Sequence, residues 1–382
     1  MKTPTPFRFF AALTVVGLVL LAPLSPSSAH AQAMYQVVDL GTFDGVHSYG
    51  HGINRTGQVA GEASVDGGSN SRAFLYDGTT LHDLGTLGGS TSYGQSVNDA
   101  GQVAGEAYLP NNTEDHAFLY NGTTMRDLGT LGGTYSVGAG INNSGQVVGQ
   151  SKLQGTSDFH AFLFDGTRMN DLGTLGGSNS YARAINDNGQ VTGSANPAGN
   201  GGNHAFLTSN GQMRDLGTLG GTYSQGYGIN KAGQVVGGSY LSGGSTLHPF
   251  LYDGTKMNDL GTLGGTYSTA YGINNVGQAV GTSDLSGDST VHAFLYAKGQ
   301  MNDLNSMISP NSGWVLNEAD GINDNGWVTG YGRINGANHA FLLRTAEVPA
   351  PSSWVIFAAG GLSFVFRVIC PRNRKGRVGA NR

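Results

Sequence analysis

The heptapeptide Asp83-Leu-Gly-Thr-Leu-Gly-Gly89 recurs letter for letter at 127–133, 171–177, 215–221 and 259–265. Working outward from it, Asp-Leu stands at Asp39, Asp83, Asp127, Asp171, Asp215, Asp259 and Asp303, each 44 residues after the last. An apolar residue followed by Asn ends at Asn54, Asn98, Asn142, Asn186, Asn230, Asn274 and Asn323. A third mark, His-Ala-Phe or a variant, ends at Phe74, Phe118, Phe162, Phe206, Phe250, Phe294 and Phe341. Within one unit, 135–142, 145–151, 160–166 and 167–175 read as short strands. Asn-x-x-Gly separates the first two and Asp-Gly-Thr the last two, both turn chemistry. Four strands in a repeat of this length predict a propeller blade.

The chain termini support a ring. The last unit has a His339–Leu343 strand but no Asp-Leu strand after it, whereas the first unit begins with such a strand alone, Tyr35–Leu40. Pairing the two leaves no exposed edge. The expectation is therefore all-β: a seven-bladed β-propeller of 44-residue four-stranded repeats, its ring closed by the N-terminal strand. An open β-solenoid is the alternative. Small residues at Gly52, Ser96, Gly140, Ala184, Gly228, Gly272 and Gly321 mark where the inner strands converge.

Three segments follow: 1–33, 34–345 and 346–382. The first has basic Lys2 and Arg8, an apolar run and Ala29-His-Ala31, the plan of a secretory signal peptide. The last has apolar Trp354–Phe366, short for a membrane span, then Arg372, Arg374, Lys375 and Arg377. Its Val348-Pro349-Ala350-Pro351-Ser start, apolar stretch and Arg-rich tail resemble a PEP-CTERM sorting signal. That family usually has Glu where Ala350 stands. The resemblance implies recognition by an exosortase-type sorting enzyme, with Val348, Pro349, Pro351, Arg372 and Arg374 in the signal, and transient anchoring in the membrane through the C-terminal segment. The expected location is the cell surface or the medium.

Glycine supplies 64 of 382 residues, and charged residues only 12%. Between Met34 and Arg344 there are 12 Lys/Arg and 24 Asp/Glu, an excess of 12 acids. No basic stripe exists for phosphates, so nucleic acid is not an expected partner. The single cysteine, Cys370, lies in the tail, so the repeat region has no disulfide and no thiol nucleophile.

The repeated His-Ala-Phe-Leu-Tyr-Asp-Gly-Thr and Asp-Leu-Gly-Thr-Leu-Gly-Gly phrases, over roughly Tyr35–Leu343, resemble the HAF family of extracellular repeats. The resemblance implies an exported bacterial repeat protein and carries no catalytic residue with it.

His116, His160, His204, His248, His292 and His339 share one repeat position, where Arg72 stands in the first unit. Blade spacing keeps them too far apart to share one ion, so no metal or cofactor is expected. Each is expected instead to hold a buried Asp-Leu aspartate, as His116 would hold Asp127. Asp83, Asp127, Asp171, Asp215 and Asp259 are given the same structural role, because a catalytic carboxylate needs a particular partner. Ile185–Gln190 and Ile322–Trp327 faintly resemble calcium loops but lack the distant Glu. No nucleophile elbow, phosphate loop or zinc-protease motif occurs.

Tyr49, Tyr93, Tyr135, Tyr181, Tyr223 and Tyr267, just past the glycine phrase, and Trp314 in the one irregular insertion are the candidate ligand-binding residues, suited to stacking on sugars. The expected function is a non-catalytic surface protein, not an enzyme, associated with extracellular polysaccharide. The alternatives are a structural coat protein, or a glycan-acting propeller enzyme using Glu62, Glu106, Glu114 or Glu318, where hydrolysis needs a carboxyl pair about 5–10 Å apart.

Overall fold

The computed structural model describes residues 34–209 and 211–346. The signal-peptide and sorting-signal readings fall on 1–33 and 347–382, outside the described residues. Among the described residues no helix is long and apolar enough to cross a membrane.

The described chain is all-β. A typical unit runs Gly132–Ile141, Val147–Leu153, Phe159–Phe164 and Met169–Asp171, each strand antiparallel to the next. The fourth strand is only three residues long, so the glycine phrase is connection rather than strand. Three sheets have four strands. Two have eight, each being two such units joined at one parallel bridge, Tyr135 with Asp115 and Leu247 with Tyr267. One four-stranded sheet mixes the two ends of the described chain: Tyr35–Asp39 pairs antiparallel with Ala337–Thr345, in register from Tyr35 opposite Thr345 to Asp39 opposite Phe341.

The glycine phrase has a defined geometry. Asp127 Oδ1 accepts from Gly129 N at 2.7 Å, and Gly129 has φ +72°. The buried Ser136 hydroxyl donates to Gly129 O (2.6 Å) and accepts from Ala117 N (2.8 Å), tying the crossing to the preceding unit. Leu131 packs on the layer that contains Phe162 and Phe164. The Phe of every His-Ala-Phe mark is fully buried.

The inner strands converge. A Cβ on Gly52 would meet Ser96 Cα at 2.8 Å, one on Gly228 would meet Tyr271 O at 2.6 Å, and one on Gly321 would meet His51 O at 3.1 Å. Asn54 Nδ2 donates to Asn98 O, and Asn323 Nδ2 donates to Asn54 O (3.0 Å each). All seven Ile/Val-Asn pairs line one cavity of about 200 Å³.

Each inner strand carries a β-bulge. The register breaks between Gly50 and Gly52, and at the equivalent place in the other six units. The extra residues are His51, Gln95, Ala139, Arg183, Tyr227, Tyr271 and Asp320. A bulge leaves its extra residue unpaired and re-aims its side chain. Seven repeats of one backbone irregularity thus present seven side chains, no two neighbouring ones alike except Tyr227 and Tyr271.

Candidate functional site

The bulges of the first and last units face each other. His51 Nε2 lies 2.9 Å from Glu62 Oε2, and His51 Nδ1 lies 3.6 Å from Asp320 Oδ2. Burial alone would lower the imidazole pKa; the charges of Glu62 and Asp320 reverse this and hold it well above the usual histidine range. Asp320 Oδ2 is buried and has no hydrogen-bond partner among the described residues. Burial, then the neighbouring Asp320 charge, pushes Glu318 up to about 8, against a smaller opposing pull from His51. Neighbouring carboxylate charge disfavours ionisation, which is why Glu318 keeps its proton to higher pH than an ordinary glutamate.

Tyrosines wall this dyad. Burial, and after it the Glu318 charge, raises Tyr271, and the same two causes push Tyr331 up to about 12. Tyr331 meets Tyr49 edge-on at 4.9 Å, and Tyr227 meets Tyr271 edge-on at 5.1 Å. Arg183 follows, its guanidinium carbon 6.0 Å from the Tyr227 ring centre.

A second acidic group stands one unit on. Burial, then the charge of Asp115, pushes Glu106 up to about 7, while a hydrogen bond from Tyr135 Oη (3.3 Å) acts the other way. Glu114 sits in the loop between Tyr108 and Asp115. Among the described residues no three His, Cys, Asp or Glu side chains are placed to hold a metal ion.

The sequence-derived candidates fall into separate places. The six tyrosines occupy two positions, not one. Tyr49, Tyr93 and Tyr181 precede the bulge by two residues, whereas Tyr135, Tyr223 and Tyr267 precede it by four. Tyr181 stacks on Phe159 at 6.1 Å, and Tyr267 is 47% exposed. Trp314 meets Phe341 edge-on and lines a separate pocket of about 830 Å³ with Trp327 and Arg344. His116 Nδ1 lies 2.9 Å from Asp127 Oδ1, and His160, His204, His248 and His292 meet Asp171, Asp215, Asp259 and Asp303 in the same way. These aspartates were expected to be buried; the Asp127 side chain is 40% exposed, because it also caps the turn at the sheet margin. In the first unit Arg72 Nε is 4.0 Å from Asp83.

The expectation of a non-catalytic protein rested on the lack of a singular catalytic cluster, and it is corrected. His51, Glu62, Glu318 and Asp320 come together once, from three non-equivalent repeat positions. Sequence reasoning had named Glu62 and Glu318 separately and missed His51 and Asp320, whose repeat position carries six residue types.

No protein-family model matches the chain, and no curated protein matches it. Solved structures do. The propeller domain of the Trilobed protease from Pyrococcus furiosus is 9% identical with TM-score 0.50, over 66% of this chain and 80% of that one, and supports the β-propeller fold. The gluconolactonase XC5397 from Xanthomonas campestris is 8% identical with TM-score 0.38, over 84% and 93%. Trypanosoma rangeli sialidase is 10% identical with TM-score 0.37, over 70% and 56%.

Proposed function

We propose that the chain is a seven-bladed propeller, its ring closed by the strand Tyr35–Asp39, and that it hydrolyses glycans at the Glu318–Asp320 dyad. The observation that carries this reading is geometric: His51 stands between Glu62 (2.9 Å) and Asp320 (3.6 Å), whose buried Oδ2 makes no hydrogen bond among the described residues, with Glu318 beside them. Glu318 gives its proton to the glycosidic oxygen as the bond to the anomeric carbon breaks. Asp320, beside His51, steadies the positive charge that develops at that carbon, and Glu318, now a carboxylate, takes a proton from the water that adds there. His51, charged between Glu62 and Asp320, orients the second carboxylate and balances it. Tyr49, Tyr271 and Tyr331 supply ring faces of the kind sugars stack on. The terminal segments, through the signals they resemble, support an exported location.

The test is release of reducing ends from a panel of polysaccharides by the purified chain. Glu318→Gln and Asp320→Asn should each cut turnover by at least about 100-fold while leaving the melting temperature within a few degrees. Turnover unchanged in Glu318→Gln, or no release from any polymer, rejects the reading.

A further inference from the structure

Arg183 is the bulge residue of its inner strand, the position that supplies His51 and Asp320 elsewhere. Two other arginines form ion pairs among the described residues, Arg55 with Asp99 and Arg72 with Asp83. Arg183 forms none. Burying part of a guanidinium without an ion pair is costly, so its surroundings need a reason.

Those surroundings are built to hold it. The carboxamide of Gln225, which is 6% exposed, accepts from Arg183 Nε (2.8 Å) and Nη2 (3.3 Å) in the orientation its neighbours require. The same amide donates to Tyr223 Oη (2.6 Å) and Tyr227 Oη (3.1 Å). Gln225 thus fixes the fork through a neutral partner; Glu106, the carboxylate that feels the Arg183 charge, makes no ion pair with it. A carboxylate in place of Gln225 would have neutralised it. The Tyr227 ring covers one side, as guanidinium planes favour. The line Arg183, Tyr227, Tyr271 leads to the dyad, since the Glu318 charge is felt at both tyrosines.

Resting on the glycan reading above, we infer that Arg183 binds the carboxylate of a uronic-acid unit, so that the substrate is an acidic polysaccharide. The Nη1–Nη2 edge, which Gln225 does not use in full, matches a planar carboxylate in two parallel hydrogen bonds. Such a charge-assisted contact is worth about 10- to 100-fold in affinity.

The experiment measures binding, so it does not depend on turnover. Polygalacturonate, its fully methyl-esterified form and dextran sulfate are titrated calorimetrically against the full chain carrying Glu318→Gln, and against the same chain with Arg183→Gln added. The inference expects polygalacturonate to bind at least about tenfold more tightly than its methyl ester, and Arg183→Gln to erase that difference without changing ester binding. Equal binding of the two forms overturns it, as does binding of neither. A preference for the sulfate polymer over polygalacturonate overturns the carboxylate assignment. A preference that survives Arg183→Gln overturns the role of this residue. If the charged form is preferred but no reducing ends appear with the unsubstituted chain, the hydrolytic reading fails and this one stands.

Discussion

His339 Nδ1 lies 3.0 Å from both carboxylate oxygens of Asp39, across 300 positions of sequence. The same contact within a unit, such as His160 with Asp171, spans 11 positions. Identical geometry therefore does two jobs: it fastens one strand pair in most units and the two ends of the described chain in the last. The pair itself is partly exposed and worth about 0.2–1 kcal/mol. The larger contribution comes from Tyr35 and Leu40, each 6% exposed, at about 1.5–3 kcal/mol apiece. Asp39→Ala should therefore lower the melting temperature by only a few degrees, while deleting 34–40 should lower it by roughly 10 °C or more and expose the Ala337–Thr345 edge to aggregation. Calorimetry with light scattering on both variants checks this; equal melting temperatures for the deletion and the parent would show that the ends do not hold the fold.

In the proposed reaction Glu318 acts as an acid only while protonated, so activity should fall as pH rises through about 8. The charge of His51 pulls Glu318 down. His51→Gln should therefore move the alkaline limb of kcat/KM to higher pH. A pH–rate series on both proteins reads the direction, and a shift toward lower pH would contradict the geometry.

Glu106 links pH to stability. Its carboxyl has a folded pKa of about 7, above the ordinary glutamate value of 4.5. Between those values the folded state holds a proton that the unfolded state has released. Its contribution to stability is then full below about 4.5, declines as pH rises, and is lost above about 7. The total is up to about 3 kcal/mol. Glu106→Gln should flatten that part of the urea stability profile and stabilise the protein at pH 8 relative to the parent. Tyr135→Phe removes the hydrogen bond that favours the charged form and should steepen the decline.

Much of the fold was readable because its marks repeat as letters. Asn54 and its equivalents each accept from their own turn and donate to the next unit, so each is constrained in the same way and stays Asn. The site was less readable for the opposite reason. A bulge is a property of pairing between strands, and it places a side chain without prescribing which one. His51, Arg183 and Asp320 therefore share a position and no letter. Glu318 stands out because it lies in the one irregular insertion, and Glu62 as a carboxylate outside the repeated marks. Their meeting through His51 depends on the first and last units lying side by side, which spacing along the chain does not express. The tyrosines were grouped together because offsets of eight and ten from the Asp-Leu aspartate share strand parity; the two offsets are nonetheless different rungs of the strand.

The bulges depend on a glycine that the sequence repeats without explaining. Gly149 stands opposite the bulge of its unit, and a Cβ there would lie 1.7 Å from Val137 O and 3.0 Å from the Phe162 ring. The same collision occurs at 2.0 Å for Gly61 with Tyr49 O and for Gly330 with Glu318 O. The carbonyl is backbone and cannot swing aside, so the strands must separate or the bulge must go. Gly155 offers the contrast: it has φ +73° but nothing within 4 Å of an added Cβ. Gly155→Ala should cost about 1–2 kcal/mol, the strain of a left-handed residue. Gly149→Ala should cost more than about 4 kcal/mol, the range reserved for buried clashes. Gly330→Ala should also uncouple Glu318 from Asp320 and abolish turnover even at temperatures where the chain stays folded. Urea unfolding of the three variants, with turnover measured well below each midpoint, tests the ranking. Active Gly330→Ala protein of parental stability would show that the bulge does not position the dyad.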